Sequence, residues 1–236
     1  MAILKYLRLP FWFNVSLLQH EVQELSALPW QLHFQKLHYE GQWSGIPLRS
    51  INGKTDNIHI SIEEHPVYKN TAFLEDSPYL QKVLQTFQCP LRAVRLLKLN
   101  AGAIIKEHRD KELNFERGEI RLHIPVITHE DVEFYLDHER IYLKEGECWY
   151  LNFDLPHRIS NNSNTDRIHL VIDAEVNDWV RTVFADPSIT LKKETEDPST
   201  IIDDATKKQM IQRFREMNTE TTNRMADELE KTMNKD

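Results

Sequence analysis

Six short segments with strand character follow one another between residues 93 and 174, and they constrain the fold more than any other feature of the chain. Turn residues such as Asp137-His138 and Glu145-Gly146-Glu147 separate several of them. The segments are Ala93–Leu99, Glu119–Ile127, Val132–Leu136, Arg140–Leu143, Cys148–Phe153 and Arg167–Ala174. Short strands at this spacing are typical of a β-sandwich or β-barrel. The sequence therefore predicts a mainly β core.

Helices are expected to flank this core. Residues 14–28 carry apolar side chains three and four positions apart, which predicts a helix with one buried face. A second helix is predicted over Pro78–Phe87, with Ser77 as its N-cap. Between them, Asn57–Ile62 alternates as a strand does, and Trp43–Ser50 is predicted to be an edge strand at the mouth of a pocket.

Composition excludes several classes of protein. The 236 residues are 40% hydrophobic and 28% charged, with a net charge of −8, which argues against general affinity for nucleic acid or an anionic membrane. The N-terminus, interrupted by Lys5 and Arg8, resembles neither a signal peptide nor a membrane span. The two cysteines, Cys89 and Cys148, form no CxxC pair and are expected to be buried and free. We expect a cytoplasmic protein.

The chain is predicted to contain one domain and an appendage. The domain is assigned to residues 1–184 with its core at about 92–175, a linker to 185–202, and a helical extension to 203–236. Pro187, Pro198 and a run of charges indicate the linker. Methionine and phenylalanine side chains of the extension are expected to pack on the domain or on a second subunit, which would make the protein a homodimer.

Three residues of the core are candidate metal ligands. His108 and Asp110 are two positions apart near the end of a strand, so both side chains can reach one ion. His157 follows the predicted strand Cys148–Phe153 and is the best candidate for a third ligand. Two histidines and one carboxylate that leave coordination positions open are typical of non-haem Fe(II) centres, although zinc accepts the same ligands.

Two predicted strands carry further polar side chains on one face. Arg167 lies ten residues after His157, and its guanidinium group suits a carboxylate such as the distal one of 2-oxoglutarate. Arg121 and His123 share a face of their strand, opposite its apolar residues. His169 shares the face of Arg167, but an ordinary strand histidine is the preferred interpretation of it.

Together these motifs resemble the aspartyl/asparaginyl β-hydroxylase family, which includes bacterial hydroxylases of free proline. The similarity is close over about 92–175 and weak over 30–91. Its motifs are His108-x-Asp110, Arg121–Val126, Gly146–Phe153, Pro156-His157, Asn161-x-Ser163 and Arg167–Asp173. The vertebrate aspartyl hydroxylases of this family lack the carboxylate ligand, so Asp110 makes the chain more similar to the bacterial branch.

The resemblance implies a double-stranded β-helix (a jelly-roll, cupin-like core) and a dioxygenase that uses Fe(II), 2-oxoglutarate and O2. His108, Asp110 and His157 would ligate iron, and Arg167 would bind the 5-carboxylate of 2-oxoglutarate. Arg121 and His123 would lie beside the cosubstrate. The implied product is a hydroxylated amino acid, free or within a peptide, with release of succinate and CO2.

The substrate side is less defined by the sequence. Arg49, Arg95 and Arg109 are candidates to hold a substrate carboxylate. Leu97 departs from some members of the family, because it stands where a hydroxyl side chain can contact the cosubstrate. Two other functions are considered: a non-catalytic cupin-like binding protein, and a zinc hydrolase.

Overall fold

A computed structural model describes residues 3–60, 66–186, 204–217 and 219–233 of the chain. The strands in these residues are β1 (Tyr6–Trp12), β2 (Gln31–Leu32), β3 (Tyr39–Glu40), β4 (Trp43–Ile51), β5 (Tyr68–Asn70), β6 (Leu91–Leu99), β7 (Ile104–His108), β8 (Glu119–Ile127), β9 (Val132–Leu136), β10 (Glu139–Arg140), β11 (Glu147–Leu151), β12 (His157–Asn161) and β13 (Arg167–Glu175). The helices are α1 (Val15–Leu25), α2 (Ala72–Glu75), α3 (Pro78–Gln85), α4 (Asp178–Ala185), α5 (Asp204–Met217) and α6 (Glu220–Met233). The chain is mainly β, as the sequence predicts.

The strands form two antiparallel sheets. The larger sheet has the order β1-β11-β8-β13-β6-β4-β2, with β5 paired to β4, and the smaller has the order β10-β9-β12-β7-β3. From β6 to β13 the chain passes repeatedly from one sheet to the other, since β6, β8, β11 and β13 lie in the larger sheet and β7, β9, β10 and β12 in the smaller. This winding is that of a jelly roll, which confirms the predicted fold class.

The central strands of the larger sheet are buried on both faces, and alternation along them separates two cores. On β8, Leu122 and Ile124 pack with helices α1, α3 and α4 in one apolar cluster. On β13, Leu170 and Ile172 belong to the same cluster. The opposite face of both strands is directed to the smaller sheet, where a second apolar cluster includes Val171 and residues of β7, β9 and β12. The polar residues of β8 and β13 therefore lie between the sheets.

Strands β1 and β12 are not predicted from the sequence, and of β7 only an end near His108 is predicted, without its bounds. Residues of the smaller sheet alternate between buried and exposed, and charged residues such as Lys106 and Glu107 interrupt β7. One solvated face leaves only a few apolar residues per strand, which is too short a pattern to recognise. Strand β1 pairs with β11, far away in the sequence, and so depends on a long-range contact.

The predicted edge strand is wrong, because β4 lies between β6 on one side and β2 and β5 on the other. Gly45 allows this close packing. A Cβ atom there would lie 2.9 Å from Leu97 Cδ2 and 3.0 Å from the Leu96 carbonyl oxygen. The sequence shows the poor strand formers of β4 but not the neighbours that cover it.

Three local predictions also differ from the structure. Residues 57–60 are not in a strand, residues 61–62 lie outside the described residues, and the predicted strand Arg140–Leu143 is reduced to β10. The Ser77 side chain does not cap α3 but donates to the Phe73 carbonyl oxygen. The Glu21 carboxylate of α1 takes the capping role instead, accepting from the backbone N–H groups of Tyr79 and Leu80 at 2.6 and 2.7 Å.

The chain divides into two compact units, Met1–Glu194 and Thr195–Asp236. In the second unit, α5 and α6 enclose their own apolar cluster of Met210, Phe214, Met225, Ala226 and Leu229. Most of the predicted linker, residues 187–202, lies outside the described residues. The domain limits at 184 and 203 and the homodimer therefore stay predictions. Among the described helices, none combines the length and apolar character that a membrane crossing requires.

Candidate metal centre

Two strands of the smaller sheet bring the three candidate ligands together. His108 ends β7, His157 begins β12, and the two are directly opposite each other in the antiparallel pair. Asp110 follows β7, and its backbone N–H donates to the Phe153 carbonyl oxygen at 2.9 Å. One ligand atom from each of the three residues lies within 4.8 Å of the others. The geometry is therefore compatible with one metal ion held by all three.

Backbone carbonyl groups orient both histidine rings. Nδ1 of His108 lies 2.8 Å from the Lys106 carbonyl oxygen, and Nδ1 of His157 lies 3.0 Å from that of Leu155. Because a carbonyl oxygen only accepts, Nδ1 carries the proton in the neutral form of either ring, and Nε2 is then the nitrogen with the free lone pair. Burial, followed by the neighbouring His108, lowers the pKa of His157 to about 4. His157 is thus a neutral imidazole at pH 7, the form that binds metals.

Asp110 is one end of a buried chain of alternating charges. Its Oδ2 accepts from Arg121 Nη1 at 2.6 Å, and Arg121 Nε donates to Asp173 Oδ1 at 2.6 Å. The other carboxylate oxygen of Asp173 accepts from Arg95. Burial opposes ionisation of Asp110, but the positive charge of Arg121, followed by the nearby imidazoles and the hydrogen bond from Arg121, outweighs it, so the pKa of Asp110 lies below its ordinary value. Asp110 is therefore a carboxylate across the neutral range.

Arg167 at the start of β13 is buried without a carboxylate partner among the described residues. It is 2% exposed, and its Nη2 lies 2.9 Å from Nδ1 of His169, a neutral ring. Arg167 Nε has no hydrogen-bond partner in the described part of the chain. Burial lowers the pKa of Arg167 to about 9. An isolated buried cation is costly, so its presence indicates that an anionic group completes the site.

Aromatic rings fill the space beside these groups. The Phe153 ring stacks on His123 with centroids 5.0 Å apart and meets His157 edge to face at 4.7 Å. Phe134 packs edge to face against Phe153. Only the fold shows that Phe153, the last residue of the predicted strand Cys148–Phe153, contacts site residues. These rings limit the access of water to the space between the sheets.

Two cavities open at different parts of the site and share no lining residue within the described chain. The first, of about 810 Å³, is lined by Asp110 and Arg121 together with His33, Trp43, Arg95, Leu97, Arg109 and others. The second, of about 340 Å³, is lined by Arg167, His169, Phe134 and the segment 141–145. The first cavity gives access to a candidate metal ligand, and the second to the buried arginine.

The three arginines that are candidates to hold a substrate carboxylate do not all lie at the same cavity. Arg95 and Arg109 line the larger cavity, and Arg109 donates to the Asp154 carbonyl oxygen at 2.9 Å. Arg49 lines neither cavity and is engaged with the Leu91 carbonyl oxygen and Asn70. Arg121 does not stand free, since two carboxylates hold it. Nothing in the sequence distinguishes Arg49 from Arg95.

The preferred interpretation of His169 as an ordinary strand histidine is wrong, because its ring contacts both Arg167 and His123. Asp173 was not singled out from the sequence, although it joins Arg95 and Arg121. Period-two alternation along β13 predicts that residues 167, 169 and 173 share one face, and this pattern indicates that His169 and Asp173 lie on the same side as Arg167.

Buried neutral histidines predict a loss of stability in acid. His33 lies against Trp43, and burial, followed by Arg95, lowers its pKa to about 3. His33 and His157 bind protons less readily in the folded protein than in the unfolded chain, where the pKa is about 6.5. Their contribution is complete above that value and is lost as the pH falls from about 6.5 towards 4, by up to about 1.4 kcal/mol per pH unit for each histidine.

We expect urea unfolding of the metal-free protein to show this decline between pH 7 and pH 4.5. The variant His33→Phe, which has one buried imidazole fewer, is expected to show a shallower decline. An unfolding free energy that stays constant over this range would contradict the assignment of neutral buried imidazoles.

The model of the aspartyl/asparaginyl β-hydroxylase family matches residues 13–176. An L-proline cis-4-hydroxylase of Rhizobium meliloti (strain 1021) is 28% identical over 137 residues, which cover 57% of this chain and 48% of that protein. An L-proline cis-3-hydroxylase of a Streptomyces species is 28% identical over 145 residues, covering 56% and 47%.

Among solved structures, an oxidoreductase of the 2OG-Fe(II) oxygenase family from Burkholderia pseudomallei aligns with a TM-score of 0.45 and 15% identity. The alignment covers 67% of this chain and 80% of that one. The matched region spans about half the length of the two proline hydroxylases.

Proposed function

The chain belongs to the aspartyl/asparaginyl β-hydroxylase family, and from this we propose that it is an Fe(II)- and 2-oxoglutarate-dependent dioxygenase that hydroxylates a C–H bond of an amino acid. The relatives that are named as L-proline hydroxylases support a free amino acid as the substrate, and a residue within a peptide is the alternative. A cytoplasmic location is part of the proposal.

The residues present fit an iron ion. His108 and His157 offer Nε2 lone pairs, and Asp110 offers an ionised carboxylate. Two nitrogens and one oxygen on one side of an ion suit non-haem Fe(II) and leave positions for other ligands. Such a centre, when bound with 2-oxoglutarate and O2, supplies the oxidation of a C–H bond coupled to formation of succinate and CO2.

The observation that carries the proposal is the buried, uncompensated charge of Arg167. A metal centre alone would not need a second cationic site between the sheets. A dicarboxylate does, because one end of it can bind at the metal and the other end requires a partner of opposite charge. The guanidinium group offers parallel N–H donors that match a carboxylate. The structure-based fit therefore favours 2-oxoglutarate over a cosubstrate with one acid group.

The protein's own groups would orient the reactants and exclude water. Arg121 donates to both Asp110 and Asp173, so Asp173 fixes the guanidinium group and the guanidinium group restrains the candidate ligand carboxylate. Phe134 and Phe153 shield the space beside His123 from solvent. The amino-acid substrate would enter through the larger cavity, which Arg95 and Arg109 line, and Arg109 would meet its carboxylate because Arg95 is already paired with Asp173.

The proposal is tested by measuring succinate release with iron, ascorbate and O2 present, screened over the free amino acids and a panel of peptides. We expect succinate to form in amounts equal to hydroxylated product with at least one substrate, and none without 2-oxoglutarate. Metal analysis of anaerobically purified protein is expected to find about one iron per chain.

Each competing function gives a different result in this experiment. A non-catalytic cupin-like protein would bind metal and release no succinate with any substrate. A zinc hydrolase would retain zinc in preference to iron and cleave its substrate without 2-oxoglutarate. Either outcome would overturn the oxygenase proposal.

A further inference from the structure

Three buried side chains, Arg167, His169 and His123, are linked in series by close contacts between the sheets. Arg167 Nη2 lies 2.9 Å from Nδ1 of His169, and the same Nδ1 lies 3.2 Å from Nδ1 of His123. The three residues are 2%, 1% and 4% exposed, respectively. None of the three has a carboxylate partner in the described residues. The chain is thus unlike the one at Asp110, where acids alternate with arginines.

The two contacts determine where the protons of the imidazoles lie. A guanidinium group only donates, so His169 Nδ1 must accept and its proton lies on Nε2. His123 must then present a proton at Nδ1, because two lone pairs would otherwise face each other at 3.2 Å. Burial, followed by the charge of Arg167, holds the pKa of both imidazoles well below the ordinary value, so both rings are neutral. This proton arrangement accounts for both contacts of His169 Nδ1, and it leaves Nε2 of each imidazole without a partner among the described residues.

A neutral partner leaves the positive charge of Arg167 uncompensated, and a carboxylate partner would not. Asp or Glu at position 169 would hold the guanidinium group more strongly but would cancel its charge. A hydrogen bond from a neutral acceptor fixes the position of the group and leaves the charge available. The guanidinium group keeps its remaining N–H donors for a ligand, since its Nε is without a partner among the described residues.

We propose that His169 is a positioning residue: it holds Arg167 in place as a neutral acceptor, so that the arginine keeps its full charge for the distal carboxylate of the cosubstrate. This inference rests on the proposed 2-oxoglutarate dependence. It assigns a role to a residue that touches the arginine and not the reacting atoms. It also explains why a histidine occupies a fully buried position beside a cation, where an apolar residue would leave Arg167 without a partner.

The test compares three substitutions by calorimetric titration of 2-oxoglutarate into the Mn(II)-loaded protein. His169→Asn keeps a neutral acceptor and is expected to change the dissociation constant by less than about 5-fold. His169→Asp adds a competing carboxylate and is expected to weaken binding by about 50-fold or more. His169→Leu removes the acceptor and is expected to weaken binding by about 10-fold.

A second ligand separates positioning from general damage to the fold. 2-Oxobutyrate keeps the 1-carboxylate and the 2-oxo group of 2-oxoglutarate but lacks the distal carboxylate. Its affinity is expected to be equal in the wild-type protein and all three variants. Equal weakening of both ligands would mean that position 169 acts only on the structure, and tighter 2-oxoglutarate binding by His169→Asp would overturn the proposal directly.

The proton arrangement is tested independently on the metal-free wild-type protein. Histidine 15N NMR distinguishes a protonated from an unprotonated ring nitrogen, and we expect His169 to be unprotonated at Nδ1 and His123 to be protonated there. The opposite pattern at His169 would overturn its role as acceptor even if 2-oxoglutarate binds. Failure of the wild-type protein to bind 2-oxoglutarate at all, with the expected NMR pattern present, would instead overturn the proposed function.

Discussion

The variant His108→Ala is expected to lose turnover by about 1000-fold or more, since removal of one ligand takes away several kcal/mol of metal binding. The two remaining candidate ligands, Asp110 and His157, are on different segments and provide too few donors to retain an ion. Succinate release and iron content measured on the same preparation should fall together. Full-length protein that unfolds at the wild-type temperature would show that the loss is local to the site.

A matched control is available in another histidine. His138 is exposed in the turn between β9 and β10 and has a backbone φ of 66°, which asparagine also accepts. His138→Asn removes an exposed imidazole that is not one of the three candidate ligands, and both its iron content and its turnover are expected to equal those of the wild-type protein. If His108→Ala kept iron and turnover, the assignment of the metal centre would be wrong.

Replacement of Arg167 by glutamine is expected to weaken 2-oxoglutarate binding by about 100-fold or more, as the loss of a buried charge partner costs at least 2–3 kcal/mol. The same change should stabilise the metal-free protein, because a buried cation without a carboxylate partner is removed and a polar group of similar shape remains. We expect the free energy of unfolding in urea to rise by about 1–3 kcal/mol. We therefore expect Arg167→Gln to lower the affinity for 2-oxoglutarate and to raise the free energy of unfolding.

The control for this experiment is Arg167→Lys. Lysine keeps the charge but not the parallel donors, so 2-oxoglutarate affinity should lie between those of the wild-type protein and Arg167→Gln. A less stable Arg167→Gln protein with unchanged affinity would show that Arg167 has a structural role, and the proposed cosubstrate site would then have to be placed elsewhere.

The predictability of the site differs between the two sheets. Period-two alternation shows that Arg121 and His123 share one face of β8 and that Arg167 and His169 share one face of β13, and the family resemblance alone implies that both faces meet at the cosubstrate. The approach of His108 to His157 could not be derived in this way. It depends on the pairing of β7 with β12, two strands with one solvated face and no recognisable pattern of their own.

Ion pairs between residues far apart in the sequence could not be predicted from the sequence either. Arg95 and Asp173 are 78 positions apart in the sequence, and their contact follows from the adjacency of β6 and β13. The chain offers 29 lysine and arginine residues and 37 acidic ones, so residue type alone cannot select the pair. Residue type does not predict the contact of His169 with Arg167 either, because that contact depends on the burial of both side chains between the sheets.

The alternation along β8 and β13 has a consequence for how such a protein can diverge. Even-numbered residues from Ile120 to Val126 and from Ile168 to Ala174 belong to the apolar cluster beneath the helices. Odd-numbered residues, among them Arg121, His123 and Arg167, face the smaller sheet. The even-numbered side chains of these strands thus stabilise the fold, and the odd-numbered ones form the site. Substitutions that change ligand preference can therefore accumulate during evolution without altering the core.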